Sequence, residues 1–295
     1  MEARARRPAV AGQFYEADGA ALAHEVEGCF LSDRGPGELP TRHRADRRSL
    51  RAAVVPHAGL RYSGAIAARA YARLAADRPP ATVLVLGVDH HGLGGGSAVS
   101  DVDWETPFGP VAVDHALVGA LAEPPIVVDE AAHALEHSIE VQLPFLQYIE
   151  PKTRLAALQV RHGPLSELAE VAERVRAAIR GKDVLLVAST DLSHYVPAET
   201  ARRLDRLALD RIEAVDPEGL YETVRRERIS MCGIAPTTVL LEVLRGEAVI
   251  PRLLAWGHSG EVEPMTKVVG YASFVFEATG EPPPPPRRSE DPTLL

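Results

Sequence analysis

The sequence predicts an α/β fold: a single domain with a central, mostly parallel or mixed sheet flanked by helices. Three observations carry this. Short apolar, β-branched runs recur, at least five of them, each followed by a longer segment with helical spacing. Hydrophobic residues make up 46% and charged residues 25% of the 295 positions, a globular balance that excludes a disordered, collagenous or fibrous chain. No fixed-period repeat and no Gly/Ser linker divides the chain, so one domain is the simpler organisation for this length.

Ala20 to Phe30 has an apolar helical face that carries Cys29, and 31–49, rich in Arg, Asp, Gly and Pro without periodicity, reads as an exposed loop. Arg51 to Pro56 is the first strong strand. A helix follows over 63–76, with Ser63 as its N-cap. Thr82 to Val88 is the next strand. Leu155 to Val160, a helix over 166–180 ending at Gly181, and Val184 to Ala188 form a βαβ unit. Residues 197–215 read as a long amphipathic helix burying Leu204, Leu207, Leu209, Ile212 and Val215, and another begins after Asp216-Pro217. Val268 to Phe276 is a late strand, so the sheet draws its edges from distant parts of the chain. The domain spans 1–280. Residues 281–295, opening on Pro282 to Pro286 and closing on mixed charges, offer no face to pack and are expected to be disordered.

Composition also bounds function. With 41 acidic against 32 basic residues the net charge is −9, which argues against sequence-blind phosphate binding and makes nucleic acid an unfavoured partner. Only two cysteines, Cys29 and Cys232, occur, so a disulfide framework is not the design and a reducing cytoplasm is the expected compartment. The Arg-rich start is followed by too short and polar a stretch for a signal peptide. Apolar runs such as Ala81 to Val88 fall below the roughly 18 residues that span a bilayer. An excess of Ala and Arg with only three lysines suggests a GC-rich genome, read here as bacterial.

Several common motifs are absent or weak. Gly92-Leu93-Gly94-Gly95-Gly96 lacks the Lys-Ser/Thr of a P-loop and reads as a turn. No Gly-x-Ser-x-Gly elbow is present. His133-Ala134-Leu135-Glu136-His137 matches the inverted zinc-protease pattern H-x-x-E-H, but no clear uninterrupted helix surrounds it, which disfavours a peptidase. The signal lies elsewhere, at the ends of strands. His57 closes the first strong strand, His90-His91 follow the second, and Val184 to Ala188 runs into Ser189-Thr190-Asp191-Leu192-Ser193-His194. Parallel sheets gather ligand groups at the carboxyl ends of their strands. Cys232 stands just before an apolar helical run to Leu244, where the helix dipole would lower its pKa and free a thiolate as nucleophile or metal ligand. Cys29 reads as a buried, inert thiol. His137 sits between Glu136 and Glu140, suited to orienting a ligand or moving a proton, or equally to a satisfied network. Two His with Cys or carboxylate suggest a borderline or soft divalent ion, or Cu(I), and leave iron, zinc and copper open while disfavouring Mg and Ca.

Taken in order, Val55-Pro56-His57-Ala58-Gly59, Leu86 to His91, Trp104-Glu105-Thr106-Pro107-Phe108-Gly109, Glu136 to Pro144, Ser189 to His194 and Cys232-Gly233 resemble the Memo family, whose microbial members are called AmmeMemoRadiSam system protein B. The resemblance covers about residues 7–277. It implies a fold like that of the class III extradiol ring-cleaving dioxygenases, which are non-haem iron enzymes. It also implies metal ligation by His57, His91 and Cys232, with Asp191 and His194 lining the same pocket; these two, together with His137 from its place between two carboxylates, are the candidate catalytic groups. Choosing His91 over His90 rests on the alternation of an extended segment. The sequence departs from the family's usual Pro-Ser-His-His by reading Val88-Asp89-His90-His91. Fe(II) is the expected ion, with Cu(I) or Zn(II) as alternatives. Three functions follow from the resemblance: a metal-binding redox protein or oxidoreductase of unknown substrate, a catechol-type dioxygenase with His194 as acid/base, or a peptide- or protein-docking module with a vestigial pocket. The family name also suggests a radical SAM protein and an AMMECR-like protein as partners.

Overall fold

A computed structural model describes residues 5–41 and 48–279. The first helix, α1 (Gly19–Leu31), is capped by Asp18, whose carboxylate accepts from the backbone N–H groups of Ala20 and Ala21. It is followed by β1 (Leu50–Val55), α2 (Leu60–Ala75) and β2 (Thr82–Val88). A stretch of short elements comes next: β3 (Ser97–Val99), β4 (Trp104–Thr106), β5 (Gly109–Val111), α3 (His115–Leu121), β6 (Ile126–Val128), α4 (Glu130–His133) and α5 (Leu143–Ile149). The chain then forms β7 (Arg154–Val160), α6 (Leu165–Ile179), β8 (Val184–Ser189), β9 (His194–Val196), α7 (Ala198–Glu213), α8 (Pro217–Arg226), α9 (Ile234–Leu244), β10 (Val249–His258) and β11 (Val268–Ala278).

Nine strands form one mixed sheet in the order β10-β11-β1-β8-β2-β7-β3-β6, with β9 added to β11, while β4 and β5 pair separately. The centre is parallel: β1 with β8, β8 with β2, and β2 with β7. Every residue of β2 is buried, as expected of a parallel strand covered on both faces. One group of helices, α1, α2 and α5, packs together and reaches β1, β10 and β11 through α2; a second group, α9 with α6 and α8, lies over β2, β7 and β8. The architecture is the single α/β domain that the recurrent apolar runs predict. Its β7-α6-β8 unit encloses β2, which pairs with both of its strands.

Differences are local. The helix expected from Ser63 begins at Leu60, because the Leu60 N–H is satisfied by Phe14 O (2.7 Å); Ser63 Oγ instead donates back to Ala58 O (2.9 Å). The long helix stops at Glu213, and Val215 adopts a left-handed φ of 50°. Strand β10 and the short elements between 97 and 149 have no counterpart in the reading of the sequence. The expected tail, 281–295, lies outside the described residues, as does part of the 31–49 loop. Among the described residues no helix is long and apolar enough to cross a membrane.

The register fixes the site. Val55 pairs with Ser189 and Leu86 with Ala188, so the carboxyl ends of β1, β2 and β8 end on one edge. His57, His90 and Asp191 each stand two residues beyond a strand's last residue.

Candidate metal centre

His57, His90 and Cys232 each place one ligand atom within 4.8 Å of the other two. Cys232 Sγ lies 3.3 Å from His57 Nε2. An ion bonded at roughly 2.0 to 2.3 Å holds tetrahedral ligand atoms about 3.5 Å apart, so this set needs only small side-chain rotations to close on one. His57 is buried, 2% exposed, at the end of β1. Cys232 is brought in from the loop ahead of α9 by a close backbone approach: a Cβ on Gly233 would meet Thr190 Cβ at 2.3 Å and Ser189 O at 2.7 Å.

His90, not the expected His91, falls in this group. The alternation that favoured His91 holds only within a strand. β2 ends at Val88, and the chain bends at His90 and His91 before the glycine turn, in which Gly92 and Gly94 both have positive φ. His90 is then captured by Glu136, whose carboxylate accepts from His90 Nδ1 and from the His90 backbone N–H, both at 2.9 Å. With Nδ1 so engaged, Nε2 is the ring atom open to a candidate metal, and the carboxylate–imidazole pairing is the one common behind metal-bound histidines.

His90, Glu136 and His137 form a second close group. Glu136 is not free to ligate, however, because its two oxygens receive four donors: His90 Nδ1 and the backbone N–H groups of His90, His137 and Ser138. Burial alone would raise its pKa, but these bonds and the charge of His90 hold it far below the usual carboxylate range. His137 stacks on His90 with ring centroids 4.6 Å apart, stands edge-on to His57 at 5.4 Å, and is covered by Phe14 at 4.8 Å. Burial brings its pKa down to about 4, so it is a neutral base beside the centre at pH 7.

Asp191 and His194 are near but differently used. Asp191 Oδ1 accepts from the His57 N–H (2.9 Å), and the Asp191 N–H points at Cys232 Sγ (3.2 Å), so this residue braces both candidate ligands. Burial pushes its pKa up to about 6. His194 Nδ1 faces two carbonyls, Leu192 O (2.7 Å) and Ser230 O (2.8 Å), so the proton is on Nδ1 and Nε2 is the acceptor. It is not in the close group. The Cys232 thiol is pushed up, not down, by burial and by the Asp191 charge; these outweigh the start of α9. Only a cation placed among these groups would favour the thiolate. Cys29 is buried, its thiol pushed up to about 12, as expected of an inert core residue. The H-x-x-E-H segment is no zinc-protease helix: α4 ends at His133, whose Nε2 faces Ala98 O (3.0 Å).

The model for Memo-like proteins matches residues 6–275 of this sequence. The chain belongs to the Memo family. A MEMO1 family protein of Methanopyrus kandleri is 40% identical over 279 residues, covering 92% of this chain and 98% of its own. One from Methanothermobacter thermautotrophicus is 39% identical, covering 90% and 98%. Both are archaeal, so these Memo relatives lend no support to the bacterial source inferred from composition. An uncharacterized protein of Escherichia coli shares the fold with a TM-score of 0.51 at 16% identity, covering 77% of this chain and 99% of that one.

Proposed function

We propose that the protein binds a transition-metal ion through His57, His90 and Cys232 and serves as a redox protein or oxidoreductase. The observation that carries this reading is the convergence of two imidazoles and a thiol, 33 and 142 residues apart in sequence from one to the next (57 to 90, 90 to 232), within 4.8 Å of one another. Two nitrogens and a sulfur favour iron, zinc or copper over magnesium or calcium. Fe(II) suits the redox reading, with Cu(I) and Zn(II) as the alternatives. The ion would supply the electron or Lewis-acid chemistry. His137 and His194 would hold or move protons at its margin, through a neutral imidazole and a free Nε2 respectively.

Metal analysis of protein purified without air tests the proposal. About one ion per chain is expected, falling to background in Cys232→Ser and His57→Ala while both variants stay folded; full occupancy in either would contradict it. The presence of two acid–base candidates beside the centre favours a second reading, a catechol-type dioxygenase. Oxygen uptake by the Fe(II)-loaded protein with a panel of diols would support it, and no uptake would remove it.

A further inference from the structure

We infer that Ser189, set by Gln142 and Tyr71, is a positioning residue that fixes the tautomer of His57 with the proton on Nδ1 and a lone pair on Nε2. Two buried carbonyls, Pro56 O and Ser138 O, can only accept. Gln142 is fully buried and its amide lies 3.0 Å from Pro56 O, so the nitrogen of the amide must face that carbonyl. The same nitrogen then donates its other hydrogen to Ser189 Oγ at 2.9 Å, while Oε1 accepts from the buried Tyr71 hydroxyl at 2.6 Å. Ser189 Oγ also lies 2.7 Å from Ser138 O, the second obligate acceptor. A hydroxyl has one proton. If it pointed elsewhere, two oxygens would face each other at this distance in a site without exposure. The Ser189 proton therefore goes to Ser138 O.

One lone pair of Ser189 Oγ is taken by Gln142, and the other faces His57 Nδ1 at 2.9 Å. Nδ1 must be the donor, which leaves Nε2 unprotonated and turned toward Cys232 Sγ, 3.3 Å away. Tyr71, Gln142, Ser189 and His57 form one hydrogen-bonded chain whose polarity is set by the Pro56 and Ser138 carbonyls. The ring is thereby presented in the one neutral form that ligates through Nε2, ahead of any ion. This differs from His90, whose Nδ1 is fixed by the Glu136 carboxylate. The consequence for ligation rests on the proposed metal reading, but the tautomer is a property of the metal-free protein and is tested there.

The test is a long-range proton–nitrogen NMR correlation on metal-free, histidine-labelled protein near pH 7.5, with the His57 signals identified by their loss in His57→Gln. A single tautomer protonated at Nδ1 is expected. Protonation at Nε2, or a mixture of tautomers, would overturn the inference. In Ser189→Ala the His57 tautomers are expected to mix, with Zn(II) affinity weakened roughly 10- to 100-fold, and Ser189→Thr, which keeps the hydroxyl, should restore both. Unchanged tautomer and affinity in a folded Ser189→Ala would also refute it. If Ser189→Ala does not fold, the wild-type spectrum alone decides. Failure of the wild type to bind Zn(II) would count against the metal reading and leave the tautomer result standing.

Discussion

Replacing Glu140 with Gln removes one charge and almost no volume from the anchor that holds the N-terminal segment over the candidate centre. The Glu140 carboxylate is fully buried and accepts from four donors: the Arg6 guanidinium, the backbone N–H groups of Ala9 (2.8 Å) and Val10 (3.0 Å), and the Tyr15 hydroxyl (2.6 Å). The Arg6 side chain is only 5% exposed and also donates to His133 O and Glu136 O. An amide can accept on one side only, so whichever way it turns, two buried donors meet an NH2 group. Each unsatisfied buried donor costs about 1 to 3 kcal/mol, and a buried cation left without its partner about 3 to 5. These overlap, so Glu140→Gln should lose roughly 3 to 5 kcal/mol. Urea denaturation followed by circular dichroism measures it, read as a fall in midpoint at constant slope. In a double-mutant cycle, Glu140→Gln should cost less in an Arg6→Met background than in the wild type, because no buried cation is then left without its carboxylate. A loss below about 1 kcal/mol, equal in both backgrounds, would mean that this buried pair does not anchor the segment.

Two further outcomes follow from burial and close packing elsewhere in the fold. Burial pulls the His133 pKa down to about 4, so between pH 6.5 and 4 the unfolded chain takes up a proton that the native form refuses; stability must fall as pH falls through that window, and His133→Phe should flatten this part of the curve of unfolding free energy against pH. An unaltered curve would show that His133 is not held neutral. Gly233→Ala has an ordinary φ of −91° and is opposed by sterics alone, chiefly Thr190 Cβ at 2.3 Å; a loss of about 1 to 3 kcal/mol is expected in thermal or urea unfolding, together with weaker metal binding, and a neutral substitution would contradict the close approach.

The central strands were legible because parallel strands buried on both faces leave continuous apolar runs, and β2 matches the run Thr82 to Val88 residue for residue. From those runs the convergence of His57, Asp191 and the 90–91 pair at one edge follows by topology. What sequence could not supply lies where the regular period stops. Past Val88 the chain bends, so alternation pointed to His91 while the Glu136 carboxylate, 46 residues away, captures His90. The strand β10 was hidden because Pro251 and Arg252 interrupt it and most of its residues are only half-buried. The Cys232 thiol was expected to be acidified by α9, a local argument that the burial of its surroundings and the Asp191 charge override. Gln142 and Ser189 lie within motifs visible in the sequence, but their hydrogen bonds run between residues 47 apart and carry no local signature.

The most direct test of the proposed centre compares the two adjacent histidines. Zn(II) or Fe(II) titrated anaerobically into His90→Ala and His91→Ala, with bound metal measured after removal of excess ion, should show binding lost in the first and kept near one equivalent in the second. Binding kept in His90→Ala and lost in His91→Ala would contradict the assignment of His90, and binding kept in both would contradict the centre itself.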